Sequence, residues 1–518
     1  MSFISFEYAV FLPLVCLLYW LVFRRNLRLQ NLFVLVVSYL FYGWWDWRFL
    51  VLIAFTSLCS WVSGLMIQSP SDIPGSGLPS HDDSNAADDN KILNRNKWVG
   101  VANIIVNLLV LGTFKYFNFF SESFAALLDA VGMHSAPVIL HVALPIGISF
   151  YTFQALSYTI DVCKGKIEPT RDIVAFFAYI SFFPQLVAGP IERATHLLPQ
   201  FQQPRTFSYQ QGVDGCRQIL WGLFKKMAVA DNCAVLVDEI FCTYQQQSGS
   251  MLMLGAVLFA VQIYGDFSGY SDIAIGSAKL FGIRLMQNFK TPYFSRSIAE
   301  FWRRWHISLT TWFRDYLYIP MGGSRVSRIK VLRNTLVIFL MSGFWHGASW
   351  TFLAWGAYHA LLFLPLILLG RNRKFTDTVA QGRLLPSLKE LLQMCLTFSL
   401  VVVGWVFFRS ATIGDALHYL SMMCHWESLS VFGAFFTEMD YWWVIMVLLI
   451  VQWLQRGKEH GLQFGDGHQA NGFQWSIAAF ASRHRGIALL GRWSAYLAIL
   501  VAIVWCSGNI NTFIYFQF

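Results

Sequence analysis

The sequence predicts an all-α, polytopic membrane protein, and three observations predict it. Hydrophobic residues make up 56% of the 518 residues and aromatic residues 17%. Charged residues are only 13%, against about 25% in soluble domains. The mean hydropathy is +0.48. So few charges cannot cover a soluble surface, and the composition argues against a nucleic-acid-binding, disordered or secreted disulfide-rich protein.

Apolar runs recur along the whole chain, and a helix needs about 20 such residues to cross a bilayer. Each spanning backbone must satisfy its own hydrogen bonds, which favours helices. We therefore expect about eleven to thirteen membrane helices in a single integral-membrane domain over residues 1–518. The runs lie near residues 8–23, 31–45, 49–67, 98–120, 138–160, 173–191, 216–242, 251–283, 331–345, 348–370, 388–408, 440–455 and 487–507.

The polar segments between these runs indicate the orientation of the chain. Arg24, Arg25 and Arg28 follow the first run, and short basic loops face the cytoplasm. Such loops account for much of the net charge of +9. Residues 69–97 are rich in Ser, Asp, Asn, Pro and Gly, which predicts an inserted, flexible cytoplasmic loop.

A basic and aromatic segment at residues 301–334 is typical of a membrane interface. Two explanations stay open: an amphipathic helix held to anionic lipid, or a docking face for an anionic molecule such as the phosphates of coenzyme A or an acidic carrier protein. On the second, the candidate donor-binding residues are Arg303, Arg304, Trp305 and Arg314.

Two histidines are candidates for acid–base chemistry. His346 lies between two strongly apolar runs, beside Gly343 and Gly347. Ionisable residues inside a membrane are expensive and often functional, and a neutral histidine is a suitable general base. His306 lies in the basic segment, and we expect it to line the cytoplasmic mouth of a path that leads to His346. A structural histidine is the alternative for each.

Other polar residues in apolar surroundings have simpler explanations. Asp266 and Asp272, in the span 262–283, indicate a buried polar network. Tyr515, in the C-terminal FIYFQF at 513–518, is on composition alone an interfacial anchor. As an acyl acceptor it would need a nearby base, because a phenol has a pKa near 10.

Several motifs of other enzyme and transporter classes are missing from the sequence. It has no HExxH and no CxxC among its nine cysteines, so neither a metal site nor a disulfide framework is predicted. It has no GxSxG elbow and no P-loop, which argues against an α/β-hydrolase and ATP-driven transport.

Five motifs in order, with the C-terminal ending, resemble the membrane-bound O-acyltransferase family. Within it the resemblance is to the bacterial branch of alginate O-acetyltransferases, peptidoglycan acetylation proteins and D-alanyl transferases, with the alginate enzymes closest. The motifs are LPIGISFYTFQALSYTIDV (144–162), FFPQLVAGPIER (182–193), QIYGDFSGYSDIAIG (262–276), FWRRWHISLTTWFRDYLYIPMGG (301–323) and SGFWHG (342–347).

The resemblance implies a ring of tilted helices around a central tunnel. It places the family's tunnel histidine on His346 and its second, cytoplasmic-side histidine on His306. It implies a cytosolic acyl thioester donor, an extracytoplasmic polysaccharide acceptor and a separate periplasmic transferase as partner. The F-I-Y-x-x-F ending makes Tyr515 the expected acyl relay.

The expected function is therefore an O-acetyltransferase of the bacterial inner membrane. Acetyl-CoA or a carrier thioester is its donor, with no permanently bound cofactor, and alginate is the expected polymer. Three alternatives stay open: O-acetylation of peptidoglycan or cellulose, a non-catalytic transporter of polysaccharide or lipid-linked sugar, and a lipid acyltransferase. The transporter predicts failed export rather than failed acetylation, and the lipid enzyme predicts activity without a partner protein.

Overall fold

The computed structural model confirms the all-α prediction: among the residues that it describes, helices are the only regular elements. The described ranges are 1–67, 83–141, 144–187, 189–425, 431–463, 485–508, 511, 513 and 514. The chain groups into two compact units, Met1–Gly212 with Ala278–Met286, and Val213–Ser277 with Gln287–Phe518. A single domain over residues 1–518 stays a prediction.

The first unit contains nine helices within its described residues. They are α1 (Phe6–Leu21), α2 (Leu27–Gly43), α3 (Phe49–Met66), α4 (Asp83–Leu111), α5 (Phe117–Ala130), α6 (Ile148–Cys163), α7 (Ile173–Ser181), α8 (Phe183–Leu186) and α9 (Ala194–Gln202). A π-helical turn, Gly112–Tyr116, joins α4 to α5. The next helix, α10 (Tyr209–Leu223), begins in this unit and continues into the second.

The second unit carries the remaining helices of the described chain, except for the last three residues of α12, which belong to the first unit. They are α11 (Asp231–Cys242), α12 (Gly249–Leu280), α13 (Ile298–Arg304), α14 (Ile307–Phe313), α15 (Arg328–His346), α16 (Trp350–Leu368), α17 (Leu388–Arg409), α18 (Ile413–Met423), α19 (Val431–Glu438), α20 (Trp442–Leu454) and α21 (Arg485–Cys506). π-Helical segments Phe224–Ala230 and Arg314–Tyr318 precede α11 and follow α14.

Six helical segments in the described chain are long and apolar enough to cross a membrane, and three shorter ones are similarly apolar. The number of crossings stays a prediction. In α12, 78% of the apolar window is buried inside the protein, against 17–39% in the other five, so this helix forms the core of its unit. The long segments are Phe49–Met66, Asn94–Ala130, Gly249–Leu280, Trp350–Leu368, Leu388–Arg409 and Gly486–Cys506, and the shorter ones are Phe6–Leu21, Leu27–Gly43 and Trp442–Leu454.

The structure corrects the expected loop at residues 69–97. Residues 68–82 lie outside the described chain, but α4 begins at Asp83, so the second half of the expected loop is helical. The polar composition predicted a loop, but such a composition does not exclude a solvated helix.

Two predicted spans are also interrupted. The run at 138–160 becomes helical only at Ile148, after Pro145 and Gly147. Gly147 has φ +74°, and a side chain there would meet the carbonyl of Leu186. The run at 173–191 breaks at Phe182, where the backbone leaves the helical region before Pro184. Apolar composition alone does not register these turns.

Candidate active site

His346 is the last residue of α15 and lies inside the second unit, 4% exposed. Aromatic rings enclose its imidazole: the ring centroids of Trp345, Trp355 and Phe408 lie 5.0, 5.2 and 5.4 Å away. The position predicted from the sequence, a histidine within apolar surroundings, is confirmed. Its role as a base stays a prediction.

The close packing of α15 against α16 sets this position. A side chain at Gly343 would meet the carbonyl of Phe352, and one at Gly356 would meet the carbonyl of Phe339. A side chain at Gly347 would meet the Phe352 ring. Small residues let two membrane helices approach at backbone distance. The glycines beside His346 therefore have a packing role.

His306 connects α13 to α14 and is 1% exposed. Its backbone is in the left-handed region, with φ +43°. A non-glycine residue there costs of order 1 kcal/mol or more and is often found at functional sites. Its ring lies edge-on to Phe267, with centroids 4.7 Å apart, and 6.2 Å from the ring of His346. The two predicted histidines thus share one site.

Burial lowers the pKa of His306 to about 3. This residue lies outside the helices that are candidate membrane spans. Because the charged form is disfavoured by desolvation, His306 is neutral at physiological pH. A neutral imidazole has one donor and one acceptor nitrogen, so it suits proton transfer or the orientation of a substrate carbonyl.

A buried amide fixes the backbone beside His306. The carbonyl of Asn288 accepts the N–H of Ile307 at 2.9 Å. The side chain of Asn288 donates to Ser271 Oγ at 3.0 Å and accepts from Ser308 Oγ at 2.7 Å. Asn288 is fully buried. Sequence reasoning missed this residue, because a single amide in a polar stretch carries no signal of what it will contact.

Asn288 also borders a narrow, open cleft in the second unit, and most of the residues that line the cleft are polar. Lining residues include Trp221, Lys225, Tyr264, Asp272, Asn288, Gln452 and His460.

Two of the four predicted donor-binding residues are enclosed by protein. Arg304 donates to Glu300 Oε1 at 2.9 Å and to the carbonyl of Asp377 at 2.8 Å. Trp305 is 0% exposed, and its ring contacts those of Phe301 and Trp405. Both side chains therefore make packing and hydrogen-bonding contacts within the protein.

The other two predicted donor-binding residues are exposed. Arg303 donates to the carbonyls of Asn372, at 2.7 Å, and Phe375. Arg314 donates to its neighbour Asp315 at 2.7 Å. Neither guanidinium lies in a buried ion pair, so both remain accessible to an anion. Donor binding by any of the four stays a prediction.

The acidic residues of α12 form the buried network that the sequence indicates. Asp272 pairs with Lys225 at 2.6 Å, and Asp266 pairs with Lys226 at 2.9 Å. Lys226 also pairs with Asp231 at 2.6 Å. The two lysines were not predicted as partners, since they come in an apolar run some forty residues before the acids.

The C-terminal segment enters the same unit. Phe513 is fully buried, with its ring 4.3 Å from Tyr270 and 6.0 Å from Phe267. Ile514 is 2% exposed. Tyr515, the predicted relay, lies outside the described residues.

Comparisons with known proteins agree with this architecture. The model of the MBOAT, membrane-bound O-acyltransferase family matches residues 147–405, a range that includes both histidines. The chain is 40% identical over 404 residues to the probable alginate O-acetylase AlgI of Pseudomonas aeruginosa, covering 78% of this chain and 71% of that protein. It is 31% identical over 449 residues to the peptidoglycan O-acetyltransferase of Helicobacter pylori, covering 81% and 79%.

A more distant relative is the teichoic acid D-alanyltransferase of Bacillus subtilis, 26% identical over 280 residues, covering 51% of this chain and 68% of that protein. The helical architecture and these matches define a multi-pass membrane O-acyltransferase. The chain belongs to the membrane-bound O-acyltransferase family.

Proposed function

We propose that this protein transfers acetyl groups from a cytoplasmic thioester, acetyl-CoA or a carrier-bound acetyl, for O-acetylation of an extracytoplasmic polysaccharide. The observation that carries the proposal is the pair of buried histidines, His306 and His346, whose ring centroids lie 6.2 Å apart in one aromatic site. The chain that holds them is similar to a probable alginate O-acetylase and to a peptidoglycan O-acetyltransferase. The protein then acts in the bacterial inner membrane, since the donor is cytoplasmic and the polymer lies outside.

His346 acts as the general base in this proposal. An acceptor hydroxyl oxygen attacks the thioester carbonyl carbon while the imidazole takes the hydroxyl proton. The C–S bond then breaks, and the thiolate leaves and is protonated. Proton transfer of this kind contributes typically 10²–10⁴-fold to a rate. The aromatic walls around His346 exclude water, which protects the thioester from hydrolysis.

Tyr515 is the proposed first acceptor. Its phenol oxygen forms an acetyl ester, and a hydroxyl of the next acceptor displaces the phenol and takes the acetyl group on. Only the acetyl group then passes the site, and coenzyme A stays in the cytoplasm. A periplasmic transferase is the proposed partner that hands the group to the polymer.

Alginate is the polymer that we propose first, because several of the similar proteins are named alginate O-acetylases. Peptidoglycan is the second candidate, favoured by the similarity to the Helicobacter protein over 81% of this chain. Deletion of the gene should remove O-acetyl groups from one of the two polymers. Measurement of ester-linked acetate in both, on the same cells, separates them.

The reaction itself is tested with the purified full chain in lipid nanodiscs and isotope-labelled acetyl-CoA. Mass spectrometry of the C-terminal peptide should find labelled acetyl on Tyr515, and His346→Ala should remove it. His359→Asn is the matched control, because His359 is also buried and also contacts Trp355. Labelling that survives in His346→Ala would refute the base assignment. No label on the wild-type chain would refute acetyl-CoA as donor to this residue.

A further inference from the structure

The C-terminal segment is bound to the protein by polar contacts as well as by packing. The backbone N–H of Ile514 donates to Asp266 Oδ2 at 2.6 Å. Lys226 Nζ donates to the carbonyl of Asn511 at 3.0 Å, and the Asn511 side chain donates to the carbonyl of Asp231 at 3.3 Å. The segment therefore occupies a site with specific donors and acceptors.

Lys226, Asp231 and Asp266, here called the tail clamp, are all at least 97% buried. The Lys226 ammonium contacts Asp231 Oδ1 at 2.6 Å, Asp266 Oδ1 at 2.9 Å and the carbonyl of Asn511 at 3.0 Å. An ammonium group has three N–H donors. One of the three thus points at the tail.

The tail clamp contains two carboxylates and one ammonium group, and in this it differs from the neighbouring ion pair of Lys225. The preceding residue, Lys225, pairs with a single carboxylate, Asp272, at 2.6 Å. A buried carboxylate needs donors beyond its ion partner. For Asp266 that donor is the N–H of Ile514. The contact with the tail therefore supplies Asp266 with the additional donor that a buried carboxylate needs.

The tail clamp also places the tail close to the histidines. Phe267, the residue after Asp266, contacts both the Phe513 ring at 6.0 Å and the His306 ring at 4.7 Å. One aromatic ring thus separates the bound segment from the candidate active site. Ile514 immediately precedes Tyr515 in the sequence.

We propose that Lys226, Asp231 and Asp266 form the binding site of the C-terminal segment and act as positioning residues for acyl transfer. The tail clamp touches no reacting atom; it holds the segment at a fixed distance from His306. This inference rests on the proposed function for its catalytic half, while the binding half stands on the contacts alone.

Two variants test the proposal on the full chain in lipid nanodiscs. Asp266→Asn keeps the shape but has one acceptor oxygen, whereas Asp266 uses two, one on Lys226 and one on Ile514. In the variant, Lys226 retains the amide oxygen of Asn as its partner. The amide NH₂ group then faces the N–H of Ile514, so the hydrogen bond to the tail is lost. Ile514→Pro removes the same hydrogen bond from the other side, without changing the helices.

The first readout is the protection of the C-terminal peptide from hydrogen–deuterium exchange, followed by mass spectrometry. This peptide should exchange at least tenfold faster in Asp266→Asn and Ile514→Pro than in the wild type. Asp272→Asn is the matched control: it removes a charge from a buried ion pair on the same helix without a tail contact, so its tail should stay protected. Ile514→Val controls for the substitution at 514.

The second readout is acetyl transfer from labelled acetyl-CoA. With a positioning role, kcat falls at least tenfold in both variants while the KM for acetyl-CoA stays within about twofold. A tail that remains protected in Asp266→Asn and Ile514→Pro overturns the binding site. A tail that loses its protection while kcat stays unchanged overturns the positioning role. If the wild type transfers no acetyl group, the proposed function fails, and the protection assay still decides the binding half.

Discussion

The centroids of the imidazole rings of His306 and His346 lie 6.2 Å apart, although the two residues are 40 positions apart in the sequence. His306 immediately precedes α14, and His346 is the last residue of α15. Trp345 contacts both rings, at 5.6 Å from His306 and 5.0 Å from His346. The two buried rings therefore belong to one aromatic cluster, and a substrate that reaches one imidazole also lies close to the other.

His346→Ala should reduce acetyl transfer at least ~100-fold, because a general base contributes of that order. His306→Ala should reduce it less if His306 only orients the substrate. The measurement is initial-rate labelling from acetyl-CoA at equal amounts of folded protein, judged by gel filtration. His359→Asn should keep most of the activity. Equal losses in His346→Ala and His359→Asn would mean that the site tolerates no buried substitution, and the base role would have no support.

Charge reversal at the exposed arginines tests the donor site. Arg303→Glu and Arg314→Glu should each raise the KM for acetyl-CoA by about tenfold, since a charge-assisted contact is worth roughly 1.5–3 kcal/mol. The kcat should change little, because neither group lies at the histidines. Arg25→Glu, in the loop between α1 and α2, is the control. A KM unchanged in both variants would place the donor elsewhere, with the polar cleft beside Asn288 as the next location to test.

Particular residues show which features of the fold and the site the sequence could predict and which it could not. The composition predicted the helical membrane fold, and the glycine-flanked His346 was placed correctly within an apolar environment. The pattern did not reveal Asn288 or the lysine partners of Asp266 and Asp272, because each acts through tertiary contacts with residues far along the chain. The sequence pattern also did not distinguish the exposed basic residues from the buried ones. Arg303 and Arg304 are adjacent in sequence, yet one is exposed and the other is buried against Glu300.

The contact between α15 and α16 yields a stability prediction. Gly343→Ala should lower the free energy of unfolding by about 1–3 kcal/mol, because the added methyl group meets the backbone carbonyl of Phe352. The measurement is the thermal midpoint of the purified protein in detergent. Gly433→Ala is the control, since nothing lies within 4 Å of its added carbon and alanine is the better helix former. Equal midpoints for the two variants would argue against a close approach of these helices at Gly343.

The stability of the protein should depend on acid through the ion pair of Asp377 with Arg296. Arg296 donates to the carboxylate of Asp377 at 2.9 Å, and this hydrogen bond holds the pKa of Asp377 below its usual value. Asp377 lies between α16 and α17, outside the candidate membrane spans. A carboxyl with a lowered pKa in the folded state stabilises the protein above its unfolded pKa, near 3.9, and that contribution disappears as the pH falls through the folded value. Since about half of the side chain is exposed, solvent screening limits the gain to less than about 1 kcal/mol.

Asp377→Asn should therefore lower the thermal midpoint slightly at pH 7, and the difference from the wild type should shrink as the pH falls below 4. Thermal unfolding between pH 3 and 7 measures it. Asp315→Asn is the control, because the ion pair of Asp315 joins it to Arg314, its neighbour in the sequence. Arg304 donates to the Asp377 backbone carbonyl, a bond that the substitution leaves in place. A difference that stays constant from pH 7 to pH 3 would mean that packing, and not the charge of Asp377, accounts for the loss.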